Sequence, residues 1–176
     1  YGEGDGKGKR ILNPVTEVTM DENSYMEMEM VQIKGVDSTQ RMTKADLAAG
    51  AKLIIRERLL THGDQHAESG FVVNLNGEDS SANVISRSVA KNNSTQVFNA
   101  EINGNAKCAG HSECDAIIMD HAKISAIPKI VANDIDAALI HEAAIGKIAG
   151  EQLIKLMTLG LTEQEAEAQI VNGFLK

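Results

Sequence analysis

Hydrophobic and polar residues alternate along most of the chain before residue 140. The clearest example is the segment YMEMEMVQI, in which Met26, Met28 and Met30 alternate with Glu27 and Glu29. Successive side chains of a β-strand point to opposite faces, so strict alternation of this kind predicts a strand. The three methionines then share one face of that strand, and the two glutamates share the other.

Similar alternation in later segments places three groups of residues on common faces. These groups are Phe71, Val73 and Leu75; Ile85 and Val89, with Arg87 between them; and Phe98, Ala100 and Ile102. Further strands are expected in the segments DAIIM and AKISAIPKIV. Residues 51–60, AKLIIRERLL, fit a helix or a strand by pattern alone, and their strand-like neighbours favour a strand.

The segments between the expected strands are rich in Gly, Asn, Asp and Ser, which are turn-forming residues. Strands recur roughly every 10–12 residues, a spacing that fits a sandwich, a barrel or a β-solenoid. Aromatic residues make up only 3% of the chain, and Asn-Gly pairs do not close every hairpin. With the many small residues expected to face inward, these features favour a solenoid, although no repeat recurs at a fixed period.

Towards the C-terminus the spacing of apolar residues becomes helical. It runs from Ile145 to Met157, and Gly160 is a natural place for this helix to end. A second helix is expected after Thr162, because Thr162 and Glu165 have the spacing of a capping box. The sequence therefore predicts a short helical hairpin behind the strands.

The 176 residues suffice for a domain with a hydrophobic core, and the patterns divide them into a β-domain, 1–140, and a helical segment, 141–176. The net charge of −8 argues against a nucleic-acid backbone as the main partner. No apolar run is long enough to span a bilayer, and the N-terminal segment lacks the apolar core of a signal peptide. We expect a cytoplasmic protein and, since the chain opens on Tyr1 rather than Met, a fragment that lacks an N-terminal part.

Two polar segments are weak candidates for chemistry. The N-terminal YGEGDGKGKR lacks the Gly-Lys-Ser/Thr of a phosphate-binding loop, so we expect a frayed segment. His62 and His66 are four residues apart, a spacing that brings two ligands together only on a helix. Because Gly63 disfavours a helix here, a polar turn is the better interpretation.

The two cysteines, Cys108 and Cys114, flank His111 in the pattern C-x-x-H-x-x-C. Thiolate and imidazole are suitable ligands for zinc, copper(I) or iron. The pattern is not one of the common zinc spacings, which begin with C-x-x-C. The local spacing therefore favours two ordinary thiols and leaves a metal site as the alternative.

The adjacent pair His141 and Glu142 lies where the strand-like pattern meets the helical one. HEAAI is not the zinc-protease pattern, because Ile145 stands where the second histidine is needed. On a strand, the two side chains would point to opposite faces, so only one of them could face a given partner surface.

The C-terminal third resembles the SufB/SufD family of iron–sulfur cluster assembly scaffolds. Four segments carry the resemblance in order: the Cys-Asp strand CDAIIM, the AIP segment, HEAAIGKI, and QLIKLMTLGLTEQEAEAQIVNGF. No single segment is decisive, but the ordered set from Cys114 to Phe174 is highly specific.

The resemblance implies a right-handed parallel β-helix that ends in a helical segment. It also implies a scaffold, rather than an enzyme, on which a transient iron–sulfur cluster is built and passed on. In this family the scaffold works with SufC, an ABC-type ATPase that docks on the C-terminal helices. Two β-helix subunits pair with the proposed cluster site at their interface, which implies a homodimer or a heterodimer with a paralogue. The expected ATPase contacts are Leu153, Leu156, Met157, Leu161 and Phe174.

The resemblance also assigns site residues. Cys114 matches the cysteine that SufB-type subunits use for sulfur acceptance and cluster ligation. Glu142 matches the acidic residue after the histidine in SufB-type subunits, and His141 matches the histidine that SufD-type subunits contribute across the interface. Cys108 has no matching family position. We expect His141 to face the interface, with Glu142 nearby if the strand ends or bends there.

Two alternatives to the scaffold come from other classes. The first is a non-catalytic adaptor of an ABC ATPase, in which the helices bind the ATPase and Cys114 is a structural thiol. The second is a β-helix polysaccharide enzyme. The chain disfavours it, because the sequence has no convincing carboxylate constellation and few aromatics to stack on sugars.

Overall fold

The computed structural model describes residues 8–33 and 35–176. Its strands are β1 Ile11–Leu12, β2 Val15–Met20, β3 Tyr25–Gln32, β4 Ser38–Leu47, β5 Lys52–Thr61, β6 His66–Leu75, β7 Ser81–Ala90, β8 Thr95–Gly104, β9 Ala109–Ile118, β10 Lys123–Ala132 and β11 Ala138–Gly146. Its helices are α1 Gly150–Thr158 and α2 Glu163–Phe174. Residues 1–7 of the N-terminal segment that the sequence predicts to be frayed lie outside the described residues.

The strands wind into a solenoid of about five turns. One sheet holds β4, β6, β8 and β10, with β1 and β2 both beside β4, and the other holds β3, β5, β7, β9 and β11. Every strand pair in the described residues is parallel, and the register matches Ser38 with His66 and His66 with Thr95. One coil therefore takes 27 to 29 residues. The predicted solenoid is confirmed, as is the strand predicted for residues 51–60.

Alternate residues of each strand point into the solenoid, where they form one continuous apolar core. The groups predicted to share faces around Phe71 and Phe98 lie in this core, and the methionines of β3 pack against it. The rings of Phe71 and Phe98 have centroids 5.7 Å apart. Burial of such side chains is the main stabilising term of a fold of this kind.

Ile85 and Val89 do share one face, as predicted, but it is the outer face of β7. Val84 is the buried neighbour on the inner face, while Ile85 is half-exposed beside the exposed Arg87. Val89 is nevertheless buried, because it packs with Met119 and with Val171 of α2. The helical hairpin therefore covers one end of the outer face of this sheet.

The corners of the coils are built from residues that tolerate a left-handed backbone. The positive-φ residues stack in two columns: Asn23, Gly50 and Asp79 at one turn, and Gly35, Gly63, Asn92 and Asp120 at the other. Gly, Asn and Asp are the residues that adopt this conformation at least cost. Side chains link successive coils within a column, since Asn92 Oδ1 accepts from Gly63 N at 3.0 Å and Asp120 Oδ2 accepts from Asn92 N at 2.8 Å.

The segment from His62 to His66 belongs to the second of these corners. Gly63 has φ +59, and the amide of His62 donates to Gln65 Oε1 at 2.8 Å. His66 already lies in β6, where its Nδ1 is 2.8 Å from Thr95 Oγ1. The predicted polar turn is confirmed.

A buried polar network occupies one part of the solenoid interior. Glu57 accepts hydrogen bonds from Ser69 Oγ at 2.5 Å and from Ser86 Oγ at 2.8 Å. A guanidinium nitrogen of Arg41 lies 3.7 Å from Glu57, and Arg41 also donates to Gln32. Burial raises the pKa of Glu57, although the serine hydrogen bonds and Arg41 oppose that shift. Buried charges require this kind of pairing, because desolvation disfavours the ionised form.

The two C-terminal helices form the predicted hairpin. The turn after α1 contains Gly160 at φ +95, and α2 begins at a complete capping box between Thr162 and Glu165. Ala166 and Val171 are the buried residues of α2. Among the described residues, neither helix is long and apolar enough to cross a membrane.

The helical spacing that the sequence shows from Ile145 onwards is misleading at its start. Ile145 lies in β11, which runs to Gly146 and therefore continues past the expected boundary at residue 140. The reason is tertiary: β9 offers a parallel hydrogen-bond partner as far as the Gly146–Ile117 pair. The first helix begins only at Gly150.

We predict that Arg41→Met destabilises the chain by about 3–5 kcal/mol, because it leaves the buried Glu57 carboxylate without its counter-charge. The double variant Arg41→Met/Glu57→Gln should lose less than the sum of the two single variants. Chemical denaturation of all three variants measures this coupling. A folded-state pKa that lies above the unfolded value favours the folded state at low pH. The loss of stability in Arg41→Met should therefore become smaller as the pH falls, because Glu57 is then protonated and no longer needs a counter-charge.

The matched control is Arg56→Met, which removes an ion pair with Glu27 that is exposed to solvent. Exposed pairs of this kind contribute about 0–1 kcal/mol. Equal losses for Arg41→Met and Arg56→Met would contradict the buried-pair argument.

Candidate functional site

The residues that the family resemblance singles out lie on β9 and β11, which pair in parallel. The register places His141 opposite Ser112, Glu142 opposite Glu113, and Ala143 opposite Cys114. One coil of the solenoid thus brings the His-Glu pair beside the cysteine strand. β11 is the last strand of its sheet, so the site lies at the C-terminal end of the solenoid.

The sheet separates these residues into two groups. Cys114 is 1% exposed and points inward, and the alternation along β11 puts His141 on the same inner face. Glu142 points outward. The prediction that His141 and Glu142 face opposite ways is confirmed. The bend that would bring them together is absent, because β11 continues to Gly146.

His141 is held through one ring nitrogen only. Its Nδ1 lies 2.6 Å from Ser112 Oγ, while Nε2 is buried and has no hydrogen-bond partner among the described residues. Burial, and secondarily the nearby His111, lowers the pKa of His141 and favours the neutral ring. A neutral imidazole with a free nitrogen is the form that binds metal ions. Sequence reasoning missed Ser112, whose role depends on this pairing between strands.

Cys114 is a protonated thiol at neutral pH in this environment. Burial raises its pKa to about 11, and the carboxylates of Glu57 and Asp115 act in the same direction. A thiol of this kind becomes a thiolate ligand only when a metal ion displaces its proton. Ala143, which is exposed, lies opposite Cys114 on the last coil.

Cys108 is buried in the turn before β9, and burial raises its pKa too. Both cysteines are free and both contribute to the core. His111, which stands between them in sequence, lies on the outer face of β9. The three residues therefore do not form one metal site within a single chain.

The outer face of the same two strands carries a second group of polar residues. Ligand atoms of His111, Glu113 and Glu142 all lie within 4.8 Å of one another. His111 Nε2 is 3.4 Å from Glu142 Oε2, and His111 Nδ1 is 3.0 Å from Asn83 Oδ1. Burial raises the pKa of Glu113, as do its hydrogen bond to Asp115 and the charge of Asp115.

Sequence reasoning considered His111 only together with the cysteines, and it missed Glu113. The alternation within HSECD was the available signal, since it puts His111, Glu113 and Asp115 on the face opposite to Cys114. No local pattern could show that Glu142 joins this group, because Glu142 lies on the next coil.

The expected ATPase contacts differ in their exposure. Met157 is 43% exposed, and Leu153, Leu156 and Leu161 are half-buried. Phe174 packs against the solenoid with Val89 and Met119, so its ring is partly used within the chain. Ile154 and Leu159 are the other strongly exposed apolar residues of the first helix and the turn that follows it, at 62% and 76%.

The open end of the solenoid is also partly apolar. β10 and β11 each have one strand partner in the described residues, so their other edges are free. Ile130 and Ile145 lie at inward positions of this last coil, yet both are more than one third exposed. Free edges and uncovered apolar side chains are typical of a surface that pairs with another chain.

We predict that iodoacetamide modifies Cys114 slowly in the folded chain. A pKa of about 11, against 9.0 for an ordinary thiol, lowers the thiolate fraction roughly 100-fold, and burial limits access further. The Cys108→Ser variant isolates Cys114, and mass spectrometry follows the modification. The same variant in denaturant is the control. Equal rates in the folded and denatured chains would contradict the assigned environment.

Comparison with known proteins gives a consistent result. The family profile described as "SUF system FeS cluster assembly, SufBD core domain" matches residues 6–174. An iron–sulfur cluster assembly SufBD family protein of Methanocaldococcus jannaschii is 32% identical over 170 residues, which are 96% of this chain and 54% of the relative. A SufBD family protein of Archaeoglobus fulgidus is 31% identical over 167 residues, 94% of this chain and 45% of the relative. The chain thus spans about half the length of these curated relatives.

Proposed function

The chain belongs to the SufBD family of iron–sulfur cluster assembly proteins, and on that premise we propose that it is a scaffold on which a cluster is built at a subunit interface. The cluster is the cargo of this scaffold rather than a resident cofactor. One observation carries the proposal: His141 has a buried ring nitrogen with no hydrogen-bond partner among the described residues, on the same inner face as Cys114 and at the open end of the solenoid.

The donor set suits a cluster that must leave again. Cys114 supplies one sulfur, and an iron ion at this thiol would stabilise the thiolate and release its proton. His141 supplies a neutral nitrogen that Ser112 orients through the other side of the ring. One thiolate and one imidazole do not complete the coordination of a cluster, which usually has four cysteine ligands. The missing ligands would come from a second subunit.

The open end supports pairing with that second subunit. Its free strand edges offer unpaired backbone groups, and Ile130 and Ile145 offer apolar contact area. A second copy, or a paralogue with the same fold, brought to this end would lie over Ala143 and so close to Cys114. In a homodimer, both chains would contribute the same cysteine and histidine.

Anaerobic reconstitution with iron and sulfide tests the scaffold. We expect the wild-type chain to develop the visible absorbance of an iron–sulfur cluster, and Cys114→Ser to lose it. His141→Ala should weaken it, because a buried ligand is removed. Cys108→Ser is the matched control, since Cys108 is also a buried free thiol but lies before β9.

Two results would contradict the proposal. One is absorbance that persists unchanged in Cys114→Ser. The other is a cluster that forms on a chain that stays monomeric when oligomeric state is measured in the same samples, since the proposed site is shared between subunits.

We propose in addition that the helical hairpin binds an ABC-type ATPase. The exposed apolar surface formed by Ile154, Met157 and Leu159 supports this role, because such side chains are typical of docking surfaces. Leu153, Leu156 and Leu161 are half-buried, whereas Phe174 packs against the cluster of Val89, Met119 and Val171.

Binding of a purified SUF-type ABC ATPase tests this role. We expect Ile154→Asp and Leu159→Asp each to weaken binding about tenfold or more, because a charge replaces a desolvated contact. Ile135→Asp is the matched control, since Ile135 is 99% exposed on the turn between β10 and β11. Equal effects of all three substitutions would contradict the assignment of the surface.

The alternative is an adaptor that binds the ATPase and carries no cluster. Its support is the deep burial of Cys114, which is what a structural thiol would show. ATPase binding that depends on Ile154 and Leu159, with no cluster in any reconstituted sample, would favour the adaptor over the scaffold.

A further inference from the structure

We propose that the outer face of β9 and β11 binds a divalent transition-metal ion through His111, Glu113 and Glu142. This site is separate from Cys114, whose side chain lies on the inner face of the same sheet. The metal site rests on its own geometry. Only the further idea that the ion is iron on its way to the cluster rests on the proposed function.

The parallel register assembles the site from two coils. Glu113 and Glu142 are directly opposite each other on neighbouring strands, and His111 lies two residues before Glu113 on the same face. One ligand atom from each of the three residues lies within 4.8 Å of the other two. Like charges at directly opposed positions of a sheet are destabilising. A cation between the carboxylates removes that repulsion.

The orientation of His111 favours a metal ligand. Asn83 Oδ1 can only accept a hydrogen bond, so His111 Nδ1 is the donor in their 3.0 Å contact. The lone pair of the neutral ring is then on Nε2, which lies 3.4 Å from Glu142 Oε2. A cation or a proton between these two acceptors would turn their contact from repulsive into attractive. An oriented imidazole of this type is the usual second-shell arrangement of metal-binding histidines.

The surroundings also favour a cation. Asp115 lies next to Glu113 on the outer face, so three carboxylates, those of Glu113, Asp115 and Glu142, converge on this patch. Arg87 on β7 lies opposite Asp115. Its single positive charge does not balance the three carboxylates. Glu142 is 67% exposed, so water can complete the coordination sphere.

The donor set defines the class of ion. One imidazole nitrogen and two carboxylates, with no thiolate on this face, suit Mn²⁺, Fe²⁺ or Zn²⁺ and disfavour copper(I). The open, partly hydrated geometry is that of a labile site rather than of a closed structural one.

The competing explanation is an ion pair between protonated His111 and Glu142, with no metal bound. It uses the same 3.4 Å contact but does not require Glu113. A variant at Glu113 therefore separates the two explanations.

Anaerobic calorimetry with Mn²⁺ on the full chain tests the proposal, and electron paramagnetic resonance counts the bound ion. We expect saturable binding of one ion per chain in the wild type. Glu113→Gln and His111→Gln should each weaken binding about tenfold or more, because each removes a ligand. Circular dichroism checks that the variants are folded.

Two matched controls accompany these variants. Glu101→Gln alters an outward carboxylate that pairs with Lys129 on the other sheet, and Cys114→Ser alters the inner face. Both should bind Mn²⁺ as the wild type does. Absence of saturable binding in the wild type, or unchanged binding in Glu113→Gln, would overturn the proposal and favour the ion pair. Loss of binding in Cys114→Ser would overturn the separation of the two faces.

Cobalt(II) absorption distinguishes this proposal from the proposed function. An ion held by His111 and the two carboxylates gives weak d–d bands without a thiolate charge-transfer band, and it supports the outer site. A strong thiolate band that disappears in Cys114→Ser would overturn that assignment. Cluster reconstitution can fail while Mn²⁺ still binds, so the two proposals can be rejected separately.

Discussion

The in-register parallel hydrogen-bond ladder between successive coils sets the direction of every side chain in the solenoid. Each strand pairs with the strand one coil away, 27 to 29 residues along the chain. Because side chains alternate with period two, that register decides which residue enters the core and which one faces solvent. A slip of one residue would exchange the two faces of a strand. The columns of left-handed Gly, Asn and Asp residues at the corners hold the coil length and so protect the register.

The same ladder separates two kinds of chemistry across a single sheet. On the inner face, desolvation raises the pKa of the Cys114 thiol and lowers that of His141, so both groups are neutral near pH 7. On the outer face, His111 and two carboxylates remain closer to water. Oxygen-rich and sulfur-containing side chains thus lie back to back on β9 and β11, one sheet thickness apart.

Much of this architecture is visible in the sequence because it depends on local patterns. Alternation identified several of the strands and the groups of residues that share a face, and the Thr162–Glu165 capping box marked the start of α2. Alternation did not reveal β1, β2 or β4. The coil length escaped detection because the equivalent corner positions hold Gly63, Asn92 and Asp120, three residues with one backbone conformation but little similarity in sequence. Ile145 was wrongly assigned to helical spacing, because short apolar patterns do not reveal whether a neighbouring strand offers hydrogen bonds.

Local alternation alone indicates that His141 and Glu142 face opposite ways, because alternation is a property of the local backbone. Which face lies inside depends on packing between distant parts of the chain. This packing left Ile85 outside and buried Val89 beneath α2, and it placed Glu142 beside His111 and Glu113. These outcomes follow from contacts between residues a whole coil apart. Their register depends on corner geometry and on the hydrogen-bond ladder, neither of which a local pattern records.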